Sequence, residues 1–145
     1  IKNGRYEFDY WSGSNGKKYS SGQRVKNLTS KDGGTLTMTA KWKLQSPYTI
    51  NLKSNLYDKQ IDVTGYSEVT LKIAQGGHDG YQSYIEIKQC GAPSSLKSSY
   101  SGGRNTITAN IPANTTKLCI NAWHQEDKYH QECKTKHKVT VTLTK

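Results

Sequence analysis

Gln60-Ile61-Asp62-Val63-Thr64-Gly65-Tyr66-Ser67-Glu68-Val69-Thr70-Leu71-Lys72-Ile73 reads as an edge strand, a turn and a core strand. Apolar residues alternate with polar ones on both sides of Thr64-Gly65, the period-two pattern of strands with one buried face. Outward from this phrase the same pattern recurs over Tyr48 to Leu52, Asp58 to Val63, Ser67 to Ala74, Tyr81 to Gln89, Asn105 to Ile111, Thr116 to Ala122 and Lys138 to Leu143. Gly76-Gly77, Gly91-Ala92-Pro93, Gly102-Gly103 and Pro112-Ala113-Asn114 supply turns between them. No segment shows a helical period, so the expectation is an all-β fold, an antiparallel β-sandwich, with an N-terminal hairpin-like segment.

That segment carries its own signature. Residues 5 to 11 alternate Tyr6, Phe8 and Tyr10 against Arg5, Glu7 and Asp9, and residues 35 to 43 place Leu36, Met38, Ala40 and Trp42 on one face. The two strands are expected to pair. Gly4-Arg5-Tyr6-Glu7-Phe8, Tyr10-Trp11, Gly16, Tyr19, Gly22, Val25, Asn27-Leu28-Thr29 and the closing Ala40-Lys41-Trp42 fall in the order of the second half of a Listeria–Bacteroides repeat, the internalin-B-type B repeat, which residues 3 to 43 resemble. The resemblance implies a spacer in a secreted or surface-attached bacterial protein. The strand and short helix that open such a repeat do not precede this segment, so the expectation is either a piece of a longer protein or a segment that adds strands to the domain that follows; the start at Ile1 favours a fragment or a processed chain. Pro47 cannot continue a central ladder, which puts the boundary between a segment 1–44 and a domain 47–145. The domain, through the phrase 60–73 with Thr106 to Pro112 and Thr116 to Ala122, resembles the galactose-binding-like jelly rolls of many carbohydrate-binding modules.

Only 32% of residues are hydrophobic, but ten Tyr and three Trp provide bulk for a β core. The net charge of +10 is shared between residues 1–44 (nine basic, three acidic) and 45–145 (12 basic, eight acidic). An acidic partner is one reading, a pectin-like polysaccharide first and heparin or nucleic acid behind it; a well-solvated lysine surface is the other. Three cysteines suggest one disulfide and a free thiol in an exported protein, with Cys119 and Cys133 the expected pair because they flank one loop; three reduced thiols are the alternative.

Sugar sites stack aromatic rings on pyranose faces and ring them with hydrogen-bonding groups. Two stretches have that make-up, Gly76 to Tyr84 and Trp123 to Glu132. Trp123 and Tyr129 are the expected stacking platforms, with His124, Gln125, Lys128, Tyr81 and His78 as polar partners and Arg104 as a bidentate fork for a carboxylate. For each ring the competing role is a place in the core, as for Trp123 and Tyr84 at strand ends. The run Cys119, His124, His130, Cys133, His137 lacks the spacing of a closed zinc site. Asp62, Asp79, Glu126 and Asp127 are the candidates for a structural calcium; no cofactor is expected beyond that. The chain has no Gly-x-Ser-x-Gly elbow, His-Glu-x-x-His or Walker loop. The expectation is a non-catalytic carbohydrate-binding module, secreted or on the cell surface, with a polysaccharide and neighbouring domains as partners and no membrane insertion. An adhesin or spacer that binds a host protein is the alternative.

Overall fold

The computed structural model describes residues 1–53, 55–74, 82–102, 104–124 and 138–145. Over them the protein is all-β, with antiparallel pairing throughout. It divides into two compact units, Ile1–Gln45 and Ser46–Lys145.

The first unit holds β1 (Lys2–Asn3), β2 (Tyr6–Gly13), β3 (Lys18–Tyr19) and β4 (Met38–Leu44), with β2 pairing all three others. The expected partnership of the two alternating segments is present, from Tyr6 opposite Leu44 to Gly13 opposite Met38. Their simple alternation is corrected by a bulge: the register shifts between Phe8 and Tyr10, leaving Asp9 as an extra residue. Trp11, not Tyr10, therefore shares a face with Phe8. The Phe8 ring lies 5.4 Å from that of Trp11 and 5.9 Å from that of Trp42. Tyr10 turns to the other face, where the Lys18 ammonium sits 4.5 Å from its ring and Lys43 reaches Glu7 and Asp9 at 3.7 and 3.8 Å. Gly13 is where the chain folds back on β3, because a Cβ there would come within 2.8 Å of the Tyr19 ring.

The second unit runs through β5 (Tyr48–Lys53), β6 (Leu56–Asp62), β7 (Glu68–Ile73), β8 (Gln82–Gln89), β9 (Lys97–Gly102), β10 (Asn105–Asn110), β11 (Lys117–His124) and β12 (Lys138–Thr144). They form two four-stranded sheets, ordered β10-β7-β12-β5 and β6-β11-β8-β9. The Thr64-Gly65 turn between β6 and β7 joins them: Tyr66 N–H donates to the Val63 carbonyl at 3.0 Å, and Gly65 takes the positive φ of 84° that the turn requires.

Each sheet buries one face. Val69, Leu71, Ile73, Val139, Val141 and Leu143 line one; Ile61, Ile85, Ile87, Leu118, Ile120 and Ala122 line the other, nearly all without solvent exposure. Alternation dictates this, since those residues occupy every second position of their strands and each contributes about 1.5–3 kcal/mol if fully buried. The arrangement is sandwich-like. Buried Asn105 of β10 ties one sheet to the other, donating to the carbonyls of Ser99 at 3.1 Å and Ser83 at 3.4 Å. β9 is a strand beyond those expected from the sequence, because Lys97-Ser98-Ser99-Tyr100-Ser101-Gly102 has little apolar alternation; it forms by pairing along the edge of β8.

The cysteine pairing is also corrected. Cys119 is bonded to Cys90, with their Cα atoms 4.9 Å apart, and not to Cys133, which lies outside the described residues. β8 ends at Gln89 opposite Leu118, which delivers Cys90 to the neighbouring strand. Closeness along the chain was the wrong guide; adjacency of two strands in one sheet decided it.

Candidate functional site

The face of β6-β11-β8-β9 that points away from the core is built from the alternate residues of those strands. Where Ile85 and Ile87 point inward on β8, Tyr84, Glu86 and Lys88 point outward; on β11 the outward set is Cys119, Asn121 and Trp123. The strand register arranges them in transverse rows. Trp123 lies opposite Tyr84, and Tyr84 opposite Tyr100, so three rings cross three strands, a span of about 10 Å at the usual strand spacing. The next row, about 7 Å along the strands, carries Asn121, Glu86 and Ser98.

The rings pack on one another in tilted and edge-on geometries: Tyr84 to Trp123 at 5.3 Å, Tyr84 to Tyr100 at 5.8 Å, and Tyr100 to Trp123 at 5.9 Å with their planes 80° apart. Tyr84 and Trp123 are half-buried by this contact, while Tyr100 remains 51% exposed.

The polar row is a connected network. Two residues of β6, Tyr57 and Asp58, oppose Asn121 alone where the register shifts between Ile120 and Ala122. Asp58 takes a left-handed φ of 48° at this bulge, which a short polar side chain tolerates. The Asn121 Oδ1 accepts the Asp58 N–H at 2.8 Å, and its Nδ2 donates to Glu86 at 2.8 Å and to the Asp58 carboxylate at 3.3 Å. Asp58 also receives the Lys88 ammonium at 3.1 Å. Lys88 and then Asn121 hold the Asp58 carboxyl below its usual range, and the Asp58 bond raises Lys88 in turn. Partial burial works to raise Glu86, but hydrogen bonds from Ser95, Tyr84 and Asn121, with Lys88 nearby, outweigh it and leave the carboxyl lowered. Tyr84 is pushed up by burial and by its bond to Glu86.

Of the residues singled out from sequence, Trp123 stands in this aromatic row. His124 does not join it: the next residue on β11, it lies opposite buried Ser83 on the face that carries Ala122 and Ile120. Arg104 is exposed and directly precedes β10, a strand of the other sheet. Asp62 accepts the Thr64 N–H at 2.9 Å. Tyr129, Gln125, Lys128, Tyr81 and His78 lie outside the described residues, as do Asp79, Glu126 and Asp127. Among the described residues no three His, Cys, Asp or Glu side chains cluster to hold a metal.

Tyr100, Asn121, Glu86 and Asp58 are members that the sequence reading missed. For Glu86 and Asn121 the signal was the alternation itself, since Ile85, Ile87 and Ile120 face inward and their neighbours must face out; Tyr100 lies on an edge strand with little alternation and Asp58 at a bulge, where no such signal exists. In the first unit, a groove of about 320 Å³ lies between Trp11, Tyr19, Val25 and Met38. Among the described residues no helix is long and apolar enough to cross a membrane. Compared with known proteins, the chain matches no protein-family model and no curated protein sequence.

Proposed function

We propose that Ser46–Lys145 is a non-catalytic carbohydrate-binding module of jelly-roll type in a larger secreted or cell-surface bacterial protein, and that Ile1–Gln45 is a spacer derived from a Listeria–Bacteroides repeat. The observation that carries this reading is the row of Trp123, Tyr84 and Tyr100 beside the row of Asp58, Asn121 and Glu86 on one sheet face. Stacking surfaces next to fixed hydrogen-bonding groups are what a pyranose, with apolar faces and a polar rim, requires. Binding per module would be weak and would gain from avidity within the parent protein.

A second reading draws on the net charge of +10, which favours a polyanion such as heparin or nucleic acid bound through lysines. Affinity electrophoresis of the wild type and Tyr100→Ala, in gels containing β-glucan, xylan, starch, homogalacturonan or heparin at low and high salt, separates the two. Tyr100 is half exposed, so its removal leaves the fold largely intact. Stacking predicts salt-resistant retardation by one polymer, weakened about tenfold or more in the variant. Retardation that vanishes with salt and ignores Tyr100, or none at all, would move the assignment to the polyanion or adhesin readings.

A further inference from the structure

The hydrogen-bonding capacity left over on this face is one-sided. Both Asn121 amide protons are committed, to Glu86 and to Asp58. Glu86 already accepts from Ser95, Tyr84 and Asn121, which leaves about one of the roughly four acceptor positions of a carboxylate. Asp58 uses one oxygen for both Lys88 and Asn121 and is 67% exposed, so its second oxygen faces solvent as an acceptor. Lys88, outward on β8 like Tyr84 and Glu86, is engaged by Asp58 at 3.1 Å. Further along, Lys117 stands opposite Asp62. Among the described residues the outward face thus carries Asp58, Asp62 and Glu86 against Lys88 and Lys117, an excess of one negative charge on a protein of net charge +10.

We infer that the aromatic row selects a neutral, hydroxyl-rich glycan and discriminates against uronic acid polymers, through the carboxylates of Asp58 and Glu86. The inference rests on the glycan-platform reading and narrows it. Sugar hydroxyls donate hydrogen bonds, and carboxylates are the acceptors that gain most from them. A uronate laid along the same rings brings an acceptor-only group of like charge toward acceptors that are already ionised, which costs free energy unless a cation intervenes. Among the described residues, this face therefore carries charge opposite in sign to the net charge of the chain.

The test is affinity electrophoresis against mixed-linkage β-glucan, arabinoxylan and homogalacturonan at low salt, with wild type, Tyr100→Ala and Asp58→Asn, the fold of each variant checked by thermal melting. The expected result is retardation by at least one neutral polymer that exceeds homogalacturonan by about tenfold in affinity. In Asp58→Asn the loss of one charge and the release of Lys88 should narrow that ratio by about threefold or more. If homogalacturonan retards the wild type as strongly and Tyr100→Ala abolishes it, the platform stands and neutral selection falls. An unchanged ratio in Asp58→Asn also overturns the inference, because selection then does not come from this row. Retardation by none of the polymers removes the platform reading, and the inference with it.

Discussion

Asn121 shows how much geometry one side chain can hold. Its amide spans three strands, receiving the N–H of Asp58 from β6 and donating to Glu86 of β8, and so keeps the β6 bulge and the polar row in one register. No aliphatic residue can do this. Asn121→Ala would leave the Asp58 N–H and the half-buried Glu86 each short of a partner, and should lower unfolding free energy by about 1–3 kcal/mol. The check is a urea titration: the midpoint should fall with an unchanged slope, and glycan retardation should weaken because Glu86 loses its anchor. An unchanged midpoint would mean that water replaces the amide at no cost. Nothing in the local sequence distinguishes Asn121 from other strand asparagines; its partners lie 63 and 35 residues away.

Strand pairing explains both the successes and the corrections of the sequence reading. β8 and β11 lie side by side with a continuous register from Leu118–Gln89 to His124–Ser83, and their outward residues fall in step because alternation has the same period in both. The disulfide locks this pair near its end, joining Cys90 and Cys119 across a sequence separation of 29. Closing a loop of that length removes unfolded-state entropy worth about 3–4 kcal/mol at room temperature. Cys90→Ala with Cys119→Ala should therefore lower stability by about that amount, measured by denaturant unfolding of the oxidised wild type against the variant. In the first unit the bulge at Asp9 does the opposite of a lock: it rotates the strand so that Trp11 meets Phe8 and Tyr10 meets Lys18. Bulges are invisible to a period-two pattern, since the pattern assumes every residue advances the strand by one step.

Across the protein, charge and fold act on different terms. Glu86 and Asp58 have lowered carboxyl pKa values in the folded state, so the unfolded chain binds more protons at the same pH and stability rises with pH through that window. Their contribution is fully present above the ordinary carboxylate range near pH ~4 and is lost as pH falls through the lowered folded values. Unfolding midpoints followed from pH 7 downward should stay level and then drop in the acid range, and Glu86→Gln should shrink the drop; a pH-independent profile would show that the network is not coupled to folding. Composition, the β class, most strand positions and the inward residues of each sheet were legible in the sequence, because burial imposes a periodicity on the chain itself. The row of Trp123, Tyr84 and Tyr100, the partners of Asn121, the bond from Cys90 to Cys119 and the edge strand β9 were decided only by the tertiary structure. Each depends on which strand lies beside which, and that is set by the packing of two sheet faces on a common core rather than by any pattern within a single segment.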